Sequence, residues 1–547
     1  MQQPSQGPDA HAPLSTDVLI VGAGLSGAVA ARRLAEAGIR VLCLEQGDWT
    51  DPAHYPGRAP DWELASFGPW HPSPNRRGNP GDYPVDDSDA DMKPMMFNGV
   101  GGSTILYGAQ WMRLLPSDFR TFTLDGVGDD WPITYDDLAP FYARVECDFG
   151  VSGFAGDDAQ PAQPAYPLPA LPLGVAGERV AAAHARLGWH WWPGSNAIAS
   201  RPYRAMRPCL QLGLCGVGCR EQAKASTDVT HWPDACALGV RLVTGARVRR
   251  LTHDEQGRAS GAVFTGRDGV ERQVEARLTL VAANAIGTPR LLLASSSTRF
   301  PTGLANGSGL VGKRLMMHPF TRAIGLFDEP LQSWQGHWGQ SIYSLEFAGT
   351  RPGVGFARGA KWNLGPSGGP LGAAFMPWEG EPLWGEALHR HVDEAFGRAA
   401  VWGIICEDLP EESNRVTLHP TRKDVAGNAI PKLHYRLSEN SRRMLAFNRE
   451  RAVESLKEAG ARRVLAPELL PDYGWHPLGT CRMGADPTRS VVDRFGEAHD
   501  VPNLYLIDGS IFVTGSCANP AATIAALALR TADHIVATRT PNAKVEP

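Results

Sequence analysis

The sequence predicts an α/β fold whose main domain is discontinuous, with a second domain lodged between its segments. Two observations carry this. A strand, glycine loop, helix and strand fill Thr16–Leu44, and a helix that is apolar nearly all round follows Asn519. Between them the chain is rich in glycine and proline, with short strand-like runs. At 547 residues it exceeds the usual size of one domain, so two or more are expected.

The first unit reads DVLIV, then Gly22-Ala-Gly24-Leu-Ser-Gly27, then AVAARRLAEAG, then RVLCLE. Gly22 allows a tight turn, Gly24 lets the backbone approach a pyrophosphate, and Gly27 lets the helix pack on the strand. Glu45 ends the second strand, where a carboxylate accepts hydrogen bonds from a ribose diol. This complete context predicts a Rossmann-like dinucleotide site and does not separate FAD from NAD. Asp51–Pro94 reads as loop, and Gln160–Gly174 as an extended connector. Further on come Trp334, Trp338, Trp362, Trp378, Trp384 and Trp402. Aromatic faces suit sugars or aromatic alcohols, and tryptophans serve equally as core residues.

The last part of the chain holds WHPLGTCRMG, with His476, and then CANPAATIAALALR, with Asn519 forty-three residues after that histidine. Asn519 is suited to cap free N–H groups and Pro520 to open a helix. A buried helix start carries partial positive charge and favours anions. Aimed at a flavin, it would stabilise the negative charge gained on two-electron reduction; otherwise it is an ordinary capped helix.

Together with NGVGGST (Asn98–Thr104), AANAIGTPRLLLASS (Ala282–Ser296), VGKRLMMHP (Val311–Pro319) and NLYLIDGS (Asn503–Ser510), these blocks resemble the glucose–methanol–choline (GMC) flavoprotein oxidoreductases, in the family's order and over nearly the whole chain. The resemblance implies an FAD-binding domain from 14–140, 222–317 and 472–538 and a connector with a cysteine-containing insertion at 141–221. The substrate domain would span 318–471, on a mainly antiparallel sheet with helices. It implies that Gly101, Gly102 and Ser103 pack against flavin and pyrophosphate, and that Val248 holds the adenine through its backbone. Asp508 and Gly509 would touch the ribityl–phosphate region, with Pro520 and Thr523 near the flavin edge. An NAD-dependent enzyme has no counterpart to the C-terminal blocks.

Hydride transfer from an alcohol needs a base for the hydroxyl proton, and imidazole has the right pKa. By resemblance His476 is that base and Asn519 the second catalytic position, while His318 is read as structural support. Met96–Arg113 contains no histidine, so the FAD is expected to be non-covalent. The activity implied is oxidation of a CH–OH group in a sugar, polyol or bulky aromatic alcohol. A dehydrogenase is favoured; the alternatives are an oxygen-using oxidase and a non-redox lyase on the same scaffold.

Cys209-x5-Cys215-x3-Cys219, followed by REQAKAS, is a further constellation. Three thiolates suit a 3Fe–4S cluster, and zinc would want a fourth ligand. The spacing resembles the large subunits of bacterial gluconate, glucose and fructose dehydrogenases; related stretches also occur in cluster-free members, where the cysteines are plain loop thiols. With a cluster, a small subunit or cytochrome is the expected partner; otherwise a protein, quinone or oxygen takes the electrons.

The formal net charge is −5 with 20% charged residues, and no basic block points to nucleic acid. No apolar run reaches membrane-spanning length, and the polar first fourteen residues do not read as a signal peptide. The cytoplasm is the default compartment, with export alongside a partner as the alternative.

Overall fold

The computed structural model describes residues 14–57, 59–79, 81–376 and 383–539. Trp378 and the first thirteen residues lie outside them. β1 (Leu14–Val21), α1 (Leu25–Glu36) and β2 (Val41–Leu44) form the predicted opening unit, with β1 and β2 parallel. Val18, Leu19 and Ile20 are all buried, as a strand covered on both faces requires. β3 (Arg241–Val243), β4 (Arg247–His253), β5 (Ala259–Thr265) and β6 (Glu271–Val281) extend the sheet in the order β3-β2-β1-β6-β5-β4. α2 (Asn284–Ala294) then covers it.

A second sheet follows, built from β7 (Phe320–Leu326), β8 (Ile342–Ser344), β9 (Ala360–Gly365), β10 (Ala399–Cys406) and β11 (Arg463–Leu465). Its order is β11-β7-β10-β9-β8, all neighbours antiparallel, with Trp192–Pro193 added beside β8. Side chains alternate across it. Trp362 and Trp402 point away from the first sheet's cofactor loops and pack against the helix Glu439–Glu458, donating to Asn448 and Ser455 at 2.9 and 3.0 Å. Those two tryptophans are core.

The chain then returns to the first sheet. β12 (Leu504–Leu506) pairs in parallel with Thr279–Val281 of β6, whose other half, Glu271–Glu275, pairs antiparallel with β5. The sequence of β6 reflects these two duties. ERQVEAR alternates polar and apolar for a half-solvated surface, and LTLV is buried throughout. α3 (Ala521–Arg539) packs on α1, with Ala522, Ala525, Ala526, Ala528 and Leu529 buried. The architecture is thus the expected one: an α/β main domain of separated segments, joined to an antiparallel sheet with helices.

Candidate active site

Where the C-terminal edges of β1 and β2 meet the second sheet, the fold encloses a cavity of about 760 Å³, within the range of cofactor and ligand pockets. Gly22, Gly24, Glu45, Gly102, Ser103 and Val248 line one part of it. Asp508, Gly509, His476, Asn519 and Pro520 line it as well. Gly22 turns at φ +105°, and a Cβ there would sit 2.5 Å from the Ala282 carbonyl oxygen. Gly102, at φ +51°, faces Gly24 so closely that a Cβ would lie 2.8 Å from its Cα. Two bare backbone loops therefore form one cradle, which admits a diphosphate where side chains would fill the space. Glu45 is buried, and its carboxylate accepts from the N–H groups of Ala23 and Gly47, each at 2.8 Å. Those bonds hold it rigid at the end of β2, with lone pairs left for a ribose. The residues present fit a dinucleotide.

At the other end of the cavity, hydrogen bonds fix a proton inventory. His318 Nε2 lies 3.1 Å from the Gly515 carbonyl, which only accepts. Burial lowers the His318 pKa to about 4, so the ring is neutral and its Nδ1 carries a lone pair. His476 Nδ1, 3.0 Å away, must then be the donor. That leaves His476 Nε2 as an open lone pair facing Asn519 Nδ2 at 3.5 Å. Burial, followed by the neighbouring His318 and Lys361, pushes the His476 pKa well below the usual imidazole range. His318 occupies the left-handed region at φ +37°, a strained conformation for a residue with a side chain.

Asn519 heads α3, yet its carboxamide turns toward the cavity. Its Oδ1 accepts from Lys361 Nζ at 2.5 Å, and the same ammonium donates to Gln110 Oε1 at 3.1 Å. In its charged form the lysine only donates, so Asn519 then presents its NH₂ to His476. Lys361, on β9, is fully buried, and that burial lowers its pKa to about 7. An imidazole lone pair beside an amide donor is an arrangement that can take a proton from a hydroxyl and hold the oxygen left behind.

Residues 16–320 match the amino-terminal and residues 410–528 the carboxy-terminal family model of the GMC oxidoreductases. The chain belongs to the GMC oxidoreductase family. It is 38% identical to 2-methyl-1,2-propanediol dehydrogenase from Mycolicibacterium austroafricanum, over 95% of each chain. It is 31% identical to the fructose dehydrogenase large subunit from Gluconobacter japonicus, over 96% of this chain and 98% of that one. Among solved structures, pyridoxine 4-oxidase from Mesorbium loti shares the fold, with a TM-score of 0.63 at 21% identity, covering 96% of this chain and 100% of that one.

Several expected residues of this GMC oxidoreductase lie apart from the cavity. Gly27 packs α1 on β1, and a Cβ there would be 2.1 Å from the Gly22 oxygen. Gly101 hydrogen-bonds through its N–H to the Ala23 carbonyl and joins the two loops behind the wall. Thr523 is buried, with its hydroxyl 2.7 Å from that of Tyr142. The cysteines occupy a loop whose Gly213, Leu214, Gly216 and Val217 line the cavity. Their sulfurs accept backbone N–H groups from Gln211 (Cys209), Trp338 (Cys215) and Ala223 (Cys219). Burial pushes the Cys209 thiol up to about 12 and raises that of Cys215. Among the described residues no group of three or more His, Cys, Asp or Glu is arranged to hold a metal ion. Lys224, in the QAK that follows Cys219, is buried and donates to the carbonyls of Ile105, Tyr107 and Cys215. That lysine ties the cysteine loop to the turn after Ser103. Among the described residues no helix is long and apolar enough to cross a membrane.

Proposed function

We propose that this GMC oxidoreductase is an FAD-dependent alcohol dehydrogenase that converts a CH–OH group to a carbonyl. The carrying observation is that the dinucleotide cradle and the His318–His476–Asn519–Lys361 chain of contacts open on one cavity. Gly22, Gly24, Glu45, Gly102, Ser103, Val248 and Asp508 would hold FAD without a covalent tether. Bound there, FAD supplies the hydride acceptor.

In this reading the substrate hydroxyl lies between His476 Nε2 and Asn519 Nδ2. His476 takes the hydroxyl proton, and His318 keeps the accepting nitrogen bare by holding the other N–H. Asn519 donates to the oxygen as negative charge develops on it, and Lys361 with Gln110 prevents that amide from flipping. The second sheet walls the site from bulk water. The two relatives named above as dehydrogenases support this reading, and the one named as a large subunit supports a partner chain as electron acceptor. Anaerobic mixing with sugars, polyols and aromatic alcohols tests the proposal. A true substrate bleaches the flavin, whereas a lyase would leave it yellow; the choice of acceptor then separates dehydrogenase from oxidase.

A further inference from the structure

One face of the second sheet floors the cavity, and its rows are set by strand register. Lys361 on β9 pairs with Ile405 on β10, which pairs with Phe320 on β7. Two residues outward, roughly 7 Å along the strands, Asn363 pairs with Gly403, and Gly403 with Arg322. Asn363, Gly403 and Arg322 all line the cavity. Gly403 leaves the floor open between its two polar neighbours, where even a Cβ would come within 3.0 Å of Asn363 Nδ2.

Both polar neighbours have unused hydrogen-bonding capacity. Asn363 is 7% exposed, and its Oδ1 is buried without a partner. Arg322 Nε is likewise buried without a partner, and the guanidinium makes no ion pair among the described residues. The other charged groups on the wall are already engaged. Arg290 pairs with Asp424 at 2.7 Å and Arg249 with Glu271 at 3.5 Å. The carboxylates of Glu45, Glu63 and Asp508 accept backbone N–H groups. A guanidinium in a walled cavity with no counter-charge calls for an anion, and a buried amide oxygen calls for a hydroxyl donor.

The geometry points to an anion subsite at Arg322: the substrate is a hydroxylated acid, its carboxylate on Arg322 and a hydroxyl donating to Asn363 Oδ1. This rests on and deepens the reading of His476 and Asn519 as the place of alcohol oxidation, since Arg322, Asn363 and that pair line one cavity. A planar guanidinium that binds a carboxylate through two N–H groups gives the chamber a preference that apolar walls cannot.

D-gluconate and D-glucitol, which differ by a carboxylate in place of a CH₂OH, are the probes. Each is titrated into the anaerobic holoenzyme, with binding read from the flavin difference spectrum and oxidation read separately from flavin bleaching. We expect gluconate to bind roughly 10- to 100-fold tighter than glucitol. Arg322→Gln should remove that preference with glucitol affinity unchanged, and Arg322→Lys should restore part of it. Equal affinities in the wild type, a preference that survives Arg322→Gln, or no binding of gluconate would overturn the subsite. If gluconate binds through Arg322 but no alcohol bleaches the flavin, the subsite stands and the oxidation reading fails.

Discussion

Replacing Lys361 with Met removes a buried ammonium while keeping much of its volume. Its pKa falls from 10.5 to about 7, a difference of 3.5 units, and at 1.36 kcal/mol per unit the folded protein bears about 5 kcal/mol to keep the charged form. The sign follows from linkage. The unfolded chain holds this proton more tightly, so the contribution of Lys361 to stability rises with pH between about 7 and 10.5, and below about 7 the full penalty is present. Catalysis feels the same proton. When His476 becomes imidazolium it gains a positive charge roughly 7 Å from Nζ, and at an effective dielectric of about 20 the repulsion is about 2 kcal/mol, or roughly 30-fold in rate. Strengthening of the Asn519 amide by a charged lysine acts the other way, but polarisation adds only about 10–30% to a hydrogen bond. Repulsion wins. The wild-type profile of kcat/KM should therefore climb with pH through about 7. In Lys361→Met that limb should vanish, on a plateau about 5- to 150-fold lower because the Asn519 and Gln110 oxygens lose their donor. A wild-type profile flat across neutrality, or a limb that persists in the variant, would refute the assignment.

His476→Ala should retain FAD and slow anaerobic flavin reduction by about 10²- to 10⁴-fold; a wild-type rate would place the base elsewhere. Acid denaturation should release yellow FAD into the supernatant, and Glu45→Ala should weaken its retention, because two buried N–H groups lose an acceptor at about 1–3 kcal/mol each. Flavin that stays on the precipitate contradicts the non-covalent cofactor. Gly102→Ala should yield folded, largely colourless protein, since its Cβ would meet the Gly24 backbone at 2.8 Å; normal flavin content would show that the cradle is looser than described. Iron analysis of anaerobically purified protein decides the role of the cysteine loop: about three irons per chain would place a cluster on Cys209, Cys215 and Cys219, and iron near zero would leave them loop thiols.

The cofactor cradle was legible because its signals are local. Gly22, Gly24 and Glu45 lie within one strand–loop–helix–strand unit, and each residue type answers a need of the adjacent backbone. His476 and Asn519 stood out through their flanking blocks. Lys361 did not: it meets Asn519 across 158 residues, through the register of β9, and nothing beside it in the chain signals burial. His318 reads as support, but its two partners, His476 and the Gly515 carbonyl, come from distant parts of the chain and could not be named from its own block. Asn519 reads both as a helix cap and as the second catalytic position, and what the sequence could not show is that its carboxamide is oriented by the lysine opposite. Arg322 and Asn363 look like ordinary strand residues until the floor of the cavity is assembled.

The division of β6 between partners sets the order in which the nascent chain acquires structure. β1 and β2 leave the ribosome first, but Thr279–Val281 waits for β12, and α1 waits for the apolar face of α3. At roughly 5–20 residues per second, synthesis through Arg530 takes on the order of half a minute to two minutes. Throughout that interval the glycine loop of Gly22–Gly27 stands on an unfinished sheet, with Val18–Val21 and α1 uncovered. A dinucleotide cradle built this way is complete only once the last helix has docked, so the β1–α1 unit stays uncovered until then.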